Sequence, residues 1–89
     1  MVKRAKLEII KDILKVIQEN RNSVRLTPLL RKSKLSSAGF KEYYTELIQR
    51  NLVKEIGSGR ERKVSLTERG MKFLEKYRTI IDFIDEFEL

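Results

Sequence analysis

The stretch "LVKEIGSGRERKVSLTERG", residues 52–70, restricts the possible folds of this chain more than any other. Two short runs, "LVKEI" and "KVSL", flank the glycine-rich hexapeptide "GSGRER". Val64 and Leu66 alternate with Lys63 and Ser65 as in a half-buried strand, while the first run alternates less clearly. Together they predict a β-hairpin with a loop of about six residues. Thr67 then caps a last helix, with Glu68 in its first turn favoured by the helix dipole. Arg60, Arg62 and Lys63 therefore gather at the tip of a hairpin. Charged residues keep any turn wet; the sharper reading is that this tip touches a polyanion.

Helices are expected before the hairpin. In "AKLEIIKDILKVIQEN", Leu7, Ile10, Leu14 and Ile17 form one stripe, and Ile9, Ile13 and Val16 widen it. So broad an apolar face suits a helix covered on more than one flank. The turn formers in "NRNS" end it. Thr27 is an expected N-cap and Pro28 an expected first helical residue, opening a short helix to about Ser33 with Leu29 and Leu30 turned inward. After the turn "SKLS", Ser36 or Ser37 caps a longer helix to about Arg50. Phe40, Tyr43, Tyr44, Leu47 and Ile48 follow helical spacing on it, and Asn51 can take the left-handed conformation that ends a helix.

Composition narrows the function. The 89 residues make one domain with a single small core. There is no cysteine and no histidine, which removes disulfides, the usual zinc sets and the commonest general base. No catalytic constellation is visible, so neither an enzyme nor a cofactor, metal or small-molecule ligand is expected. No apolar run approaches membrane-spanning length and nothing resembles a signal peptide, so a cytoplasmic protein is expected. Residues 1–66 carry 16 Lys/Arg against 7 Asp/Glu, whereas residues 67–89 carry 4 against 6. Such asymmetry suggests that one part meets nucleic acid and the other does not.

Helix, short helix, tight turn, helix, hairpin, helix is the order of a winged helix-turn-helix domain, mainly α with a small β-hairpin. In that geometry the helix after the turn enters the DNA major groove and the hairpin wing reaches a flanking backbone or the minor groove. Arg60, Arg62 and Lys63 would then face phosphates, with Glu61 diluting their field. The recognition helix begins "SSAG", small residues without long reach, and no Arg, Asn or Gln precedes Gln49. Lys34 in the turn and Lys41 on the early exposed face are its cations. Ser36 and Ser37, with the backbone N–H groups of the helix start, are either cap and filler or phosphate contacts; the second reading is preferred and implies weak base discrimination.

The segments "AKLEIIKDILKVI", "LSSAGFKEYYTELIQRNLV" and "SLTERGMKFLEKYR" resemble the archaeal winged-helix family of predicted transcriptional regulators. That family includes small dimeric DNA-binding proteins associated with archaeal chromatin. The resemblance covers nearly the whole chain. Where the family usually has a glycine before the apolar pair at Leu52 and Val53, this chain has Asn51. The resemblance implies binding to double-stranded DNA and dimerisation through the last helix; a cytoplasmic, nucleoid-associated location is expected for such a protein.

The last helix raises the question of a partner independently. Phe73, Tyr77, Ile80, Ile84 and Phe87 follow the 4-3-4-3 spacing of a coiled-coil seam. Ile81, Phe83 and Leu89 lie off that stripe, so the helix is apolar on more than one side. Such a patch left in water is an association hazard. A homodimer seam through Phe73, Tyr77, Ile80, Ile81, Ile84 and Phe87 is preferred to a helix folded back on its own domain. On this division residues 1–66 are the DNA-binding core and 67–89 the dimerisation helix. Tyr43 and Tyr44 are read as packing rather than base-stacking residues, and Asp82, Asp85 and Glu86 as a solvated face rather than a cation site. "MVKRAK" is a basic arm or a frayed end. The alternative from a different class is a winged helix used for protein–protein contact.

Overall fold

The computed structural model describes residues 5–89, so the basic Met1–Arg4 end lies outside the described residues. The chain runs through α1 (Lys6–Glu19), α2 (Leu26–Ser33), α3 (Ser37–Gln49), β1 (Val53–Ile56), one turn of 3-10 helix (Gly59–Glu61), β2 (Lys63–Leu66) and α4 (Glu68–Glu86). The hairpin loop is the six residues between the strands, and the order of elements is the one the sequence predicts.

Ile10, Ile13, Leu14 and Ile17 are buried along α1, which packs against α2, α4 and β2, so its broad apolar face is covered from several sides. Leu7, one turn ahead of Ile10, stands in solvent. The rest of the core comes from Val24, Leu29, Phe40, Leu47, Leu52, Val53, Val64 and Leu66. Antiparallel register pairs Val53 with Leu66 and Ile56 with Lys63. The far edge of β2 is also used: Val64 exchanges both backbone hydrogen bonds with Val24, at 2.7 and 3.1 Å. Asn22, held at a φ of 58°, accepts from the Leu66 N–H through Oδ1 (2.7 Å), and its carbonyl accepts from the Ser65 hydroxyl (2.6 Å). Ser65 is therefore buried, although strand alternation places it on the wet face. The chain between α1 and α2 is thereby tied to the outer edge of the two-stranded sheet at one bridge.

That bridge also moves the start of α2. Its N-cap is Arg25, whose carbonyl accepts from Leu29 N–H (3.1 Å), and not Thr27. The helix starts directly after the Val24 pairing, two residues earlier than the cap chemistry of Thr27–Pro28 predicts. Pro28 is tolerated at the third helical position because none of the first four N–H groups has an intrahelical partner. The other caps follow their sequence signals. Ser36 accepts from Gly39 N–H and Thr67 from Gly70 N–H, each at 3.0 Å, and Asn51 is left-handed at 60°.

The corner at Asn51–Leu52 receives the start of α4. Thr67 donates from its hydroxyl to the Asn51 carbonyl (2.6 Å) and from its N–H to the Leu52 carbonyl (3.1 Å). Gly70 lies so close to that carbonyl that an added Cβ would stand 2.2 Å from the Leu52 oxygen. Glycine is required there by steric approach. A helical Gly→Ala change ordinarily gains about 1 kcal/mol. At Gly70 we expect the opposite, a loss of about 2 kcal/mol or more, because overpacking against backbone exceeds that gain. Urea denaturation of Gly70→Ala measures it; a stabilised variant would show that the corner yields.

Candidate nucleic-acid interface

The turn between α2 and α3 is built from satisfied polar groups. Ser33 is buried; its hydroxyl donates to the Leu30 carbonyl (2.7 Å) and accepts from Leu35 N–H (3.3 Å). Lys34, left-handed at 60°, ends α2 and projects its ammonium into solvent. Ser36 and Ser37 follow at the exposed start of α3, with Ser36 already engaged as the cap. Lys41 is exposed on the next turn. Phe40 and Leu47 are buried on the opposite side, and Ile48 is only partly covered. Tyr43 and Tyr44 are half-buried, with Tyr44 stacked on Phe40 at a centroid distance of 5.7 Å.

In the hairpin, Val53, Val64 and Leu66 turn to the core, and Glu55, paired across from Val64, shares their face. Lys54, Ile56 and Lys63 alternate to the other face. The predicted trio of cations is accordingly divided. Arg62 lies on the Glu55 side, 3.9 Å from that carboxylate, whereas Lys63 points to the outer face and Arg60 occupies the tip. Strand alternation alone separates adjacent residues in this way, so this division was legible in the sequence. The Val24–Val64 bridge also places Arg25 across from Lys63. Arg25 is a cation that sequence reasoning missed, because only the bridge reveals its neighbour. Among the described residues, Arg25, Lys34, Lys41, Arg60 and Lys63 are in no ion pair, so their charge is available to a ligand.

The Tyr44 hydroxyl donates to Glu55 Oε2 and joins α3 to β1. Burial and then the Glu55 carboxylate hold the Tyr44 phenol well above its ordinary value. Behind α3, Glu46 receives Lys6 (2.8 Å) and Arg50 (2.7 Å). Those cations, Lys6 first, hold its carboxyl below the usual range and tie the start of α1 to the end of α3.

Along α4, Phe73 and Leu74 pack against the core, and the Tyr77 ring lies beneath Lys11 Nζ at 5.7 Å. Ile81 is half-buried. The other apolar residues of this half are more open: Ile80 is 52% exposed, Phe83 54% and Phe87 57%, with Ile84 partly covered at 36%. The first half of the seam thus leans on its own domain and the second half is bare. Asp82 pairs with Arg78 (3.3 Å), and among the described residues no cluster of three or more metal-ligating side chains occurs. No described helix is long and apolar enough to cross a membrane.

A tight turn leading into an exposed helix, followed by a hairpin packed beside it, defines a winged-helix domain. The chain belongs to the winged helix-turn-helix family, whose family model matches residues 3–85. Among solved structures it is similar to SSV1 F-93, at 24% identity and a TM-score of 0.66, over 96% of this chain and 99% of that one. That likeness is one of fold. Comparison with curated proteins returns no match.

The Tyr44 contact has a consequence for alkaline stability. A phenol whose value is raised by folding keeps its proton while the unfolded chain loses its own, so stability is full below about pH 10 and declines above it. Denaturant titration between about pH 9 and 11 should show a smaller decline for Tyr44→Phe than for wild type. Equal slopes would remove Tyr44 as the source.

Proposed function

We propose that this chain is a homodimeric double-stranded DNA-binding protein with weak sequence preference, acting as a transcriptional regulator or a chromatin-associated architectural protein. The observation that carries the reading is the set of unpaired cations around α3 and the wing: Lys34, Lys41, Arg60 and Lys63, with Arg25 beside them. In this reading Lys34, Ser36, Ser37 and Lys41 meet phosphates from the helix-turn-helix, and Arg60, Arg62 and Lys63 meet them from the wing. Residues 1–66 carry the duplex contacts and residues 67–89 the partner contacts. The protein is a binding module, not an enzyme, and works on the nucleoid.

Weak preference follows from the exposed side chains of the first turns of α3. Ser37, Ala38, Lys41, Glu42 and Thr45 include no guanidinium or amide for bidentate base contacts. Affinity then comes chiefly from counterion release, which is insensitive to sequence. Reversing Arg60, Arg62 and Lys63 to Glu should leave folding intact and flatten the slope of log affinity against log salt by about 2 to 3 units per subunit. Random and selected duplexes in the same titration should differ by well under ~10³-fold. An unchanged slope removes the wing from the interface, and a strongly preferred palindrome overturns the reading of α3.

The dimer rests on the bare half of α4. Ile80, Ile84 and Phe87 share one seam, and covering each is worth about 1.5 to 3 kcal/mol. Wild type should scatter light as two chains at tens of micromolar. Ile80→Asp with Ile84→Asp should scatter as one, because an uncompensated carboxylate in a buried seam costs several kcal/mol. Both positions are exposed in the single chain, so the variant should stay folded. Its duplex affinity should drop sharply through lost effective concentration. A wild-type mass of one chain would overturn the dimer.

A further inference from the structure

We propose that Glu55 controls the wing cation Arg62, holding it in the free protein and yielding it to a DNA phosphate on binding; this rests on the reading of α3 and the wing as the duplex-facing surface. Glu55 is a positioning residue, set between the two DNA-facing elements. One of its oxygens, Oε2, accepts from the Tyr44 hydroxyl of α3. The other, Oε1, stands 3.9 Å from Arg62 Nη1. Tyr44 is half-buried and stacked on Phe40, itself a core residue, so the carboxylate is anchored to the body of the domain. Arg62 has no such anchor; its side chain is 46% exposed and belongs to the wing loop.

The asymmetry of these two contacts is the point. A charge-assisted hydrogen bond closes to about 2.7–2.9 Å. At 3.9 Å Arg62 is attracted without being locked, and it keeps donors free for a second anion. A phosphate offers the guanidinium the bidentate contact that an anchored, partly occupied carboxylate does not. Glu55 thus neutralises one wing charge until a polyanion arrives, which lowers the affinity for stray anions more than it lowers the affinity for a duplex held by several contacts. Arg60 and Lys63 have no acid in this role, so the control falls on Arg62 alone among the three.

Salt-titrated duplex binding of wild type, Glu55→Gln, Tyr44→Phe, Arg62→Gln and the Glu55→Gln/Arg62→Gln pair tests this, with a thermal melt of each variant. Glu55→Gln should tighten binding about five- to tenfold at about 0.1 M salt and leave the salt slope close to that of wild type, because Arg62 meets the same phosphate in both complexes. In the Arg62→Gln background the same change should alter affinity by under about twofold, since the cycle isolates the pair. Tyr44→Phe keeps the charge but releases the carboxylate to close on Arg62, and should weaken binding. A folded Glu55→Gln that binds no tighter overturns the proposal. So does an equal gain in the Arg62→Gln background, which would reflect loss of any negative charge. Wild type without salt-dependent duplex binding overturns the function proposed above, and is read from a different sample than either.

Discussion

The two peptide carbonyls at Asn51 and Leu52 hold the domain in its working shape. Leu52 N–H bonds back to the Leu47 carbonyl (2.9 Å), ending α3, while the left-handed Asn51 turns the chain into β1. The Asn51 carbonyl takes the Thr67 hydroxyl and the Leu52 carbonyl takes the Thr67 N–H, at the first step of α4. One corner thereby fixes the end of the recognition helix, the root of the wing and the origin of the last helix. Gly70 permits the final approach, since any side chain would occupy the space of the Leu52 oxygen. Movement at this corner would change the angles among all three elements together.

From that root the hairpin is held along its length by unlike means on its two edges. Beyond β2, the Val24 pairing and the Asn22 side chain tie the α1–α2 chain to the sheet edge. Beyond β1, the tie is a side-chain contact, Tyr44 to Glu55. Backbone pairing on one edge gives a rigid wing base; a titratable contact on the other leaves the wing's alignment with α3 open to charge. The division of cations follows. Lys63 is set by the ladder and faces outward beside Arg25, whereas Arg62 is set by an acid on the face next to α3.

Much of this was legible in sequence because it depends on near neighbours. Helical spacing in α1 and α3, the caps at Ser36 and Thr67, the left-handed Asn51 and the six-residue hairpin loop each rest on residues within a turn of one another. The misreadings share the opposite property. Thr27 had the chemistry of a cap, but the Val24–Val64 bridge, 40 positions apart, starts α2 at Leu26. Ser65 had the alternation of a wet position, but Asn22 covers it. Leu7 continues the stripe of α1 but is 54% exposed. Tyr44 reads in sequence as a packing residue, which its half-burial and stacking support, yet its hydroxyl reaches an acid 11 residues away. Periodicity reports which face a residue occupies and is silent about what meets it there. In the candidate interface, residue types and exposure were readable; the pairing of Arg62 and the neighbour of Lys63 were not.

The placement of charge and apolar surface along α4 joins the two halves of the proposed function. Its origin lies at the C-terminal end of α3, whereas the small residues and unpaired cations proposed to meet a duplex lie at the N-terminal end of α3 and at the wing tip. α3 spans 13 residues, about 20 Å of rise, so the start of α4 is set back from the N-terminal end of α3 by roughly the length of that helix. After Arg78 every charge is acidic. Phosphate repels Asp82, Asp85 and Glu86, and the bare residues Ile80, Ile84 and Phe87 lie among them. In the proposed complex these acids would keep this end off the duplex, and their charge keeps an apolar helix dispersed in water. A partner that covers the seam is therefore expected to join two modules without competing for either one's DNA face.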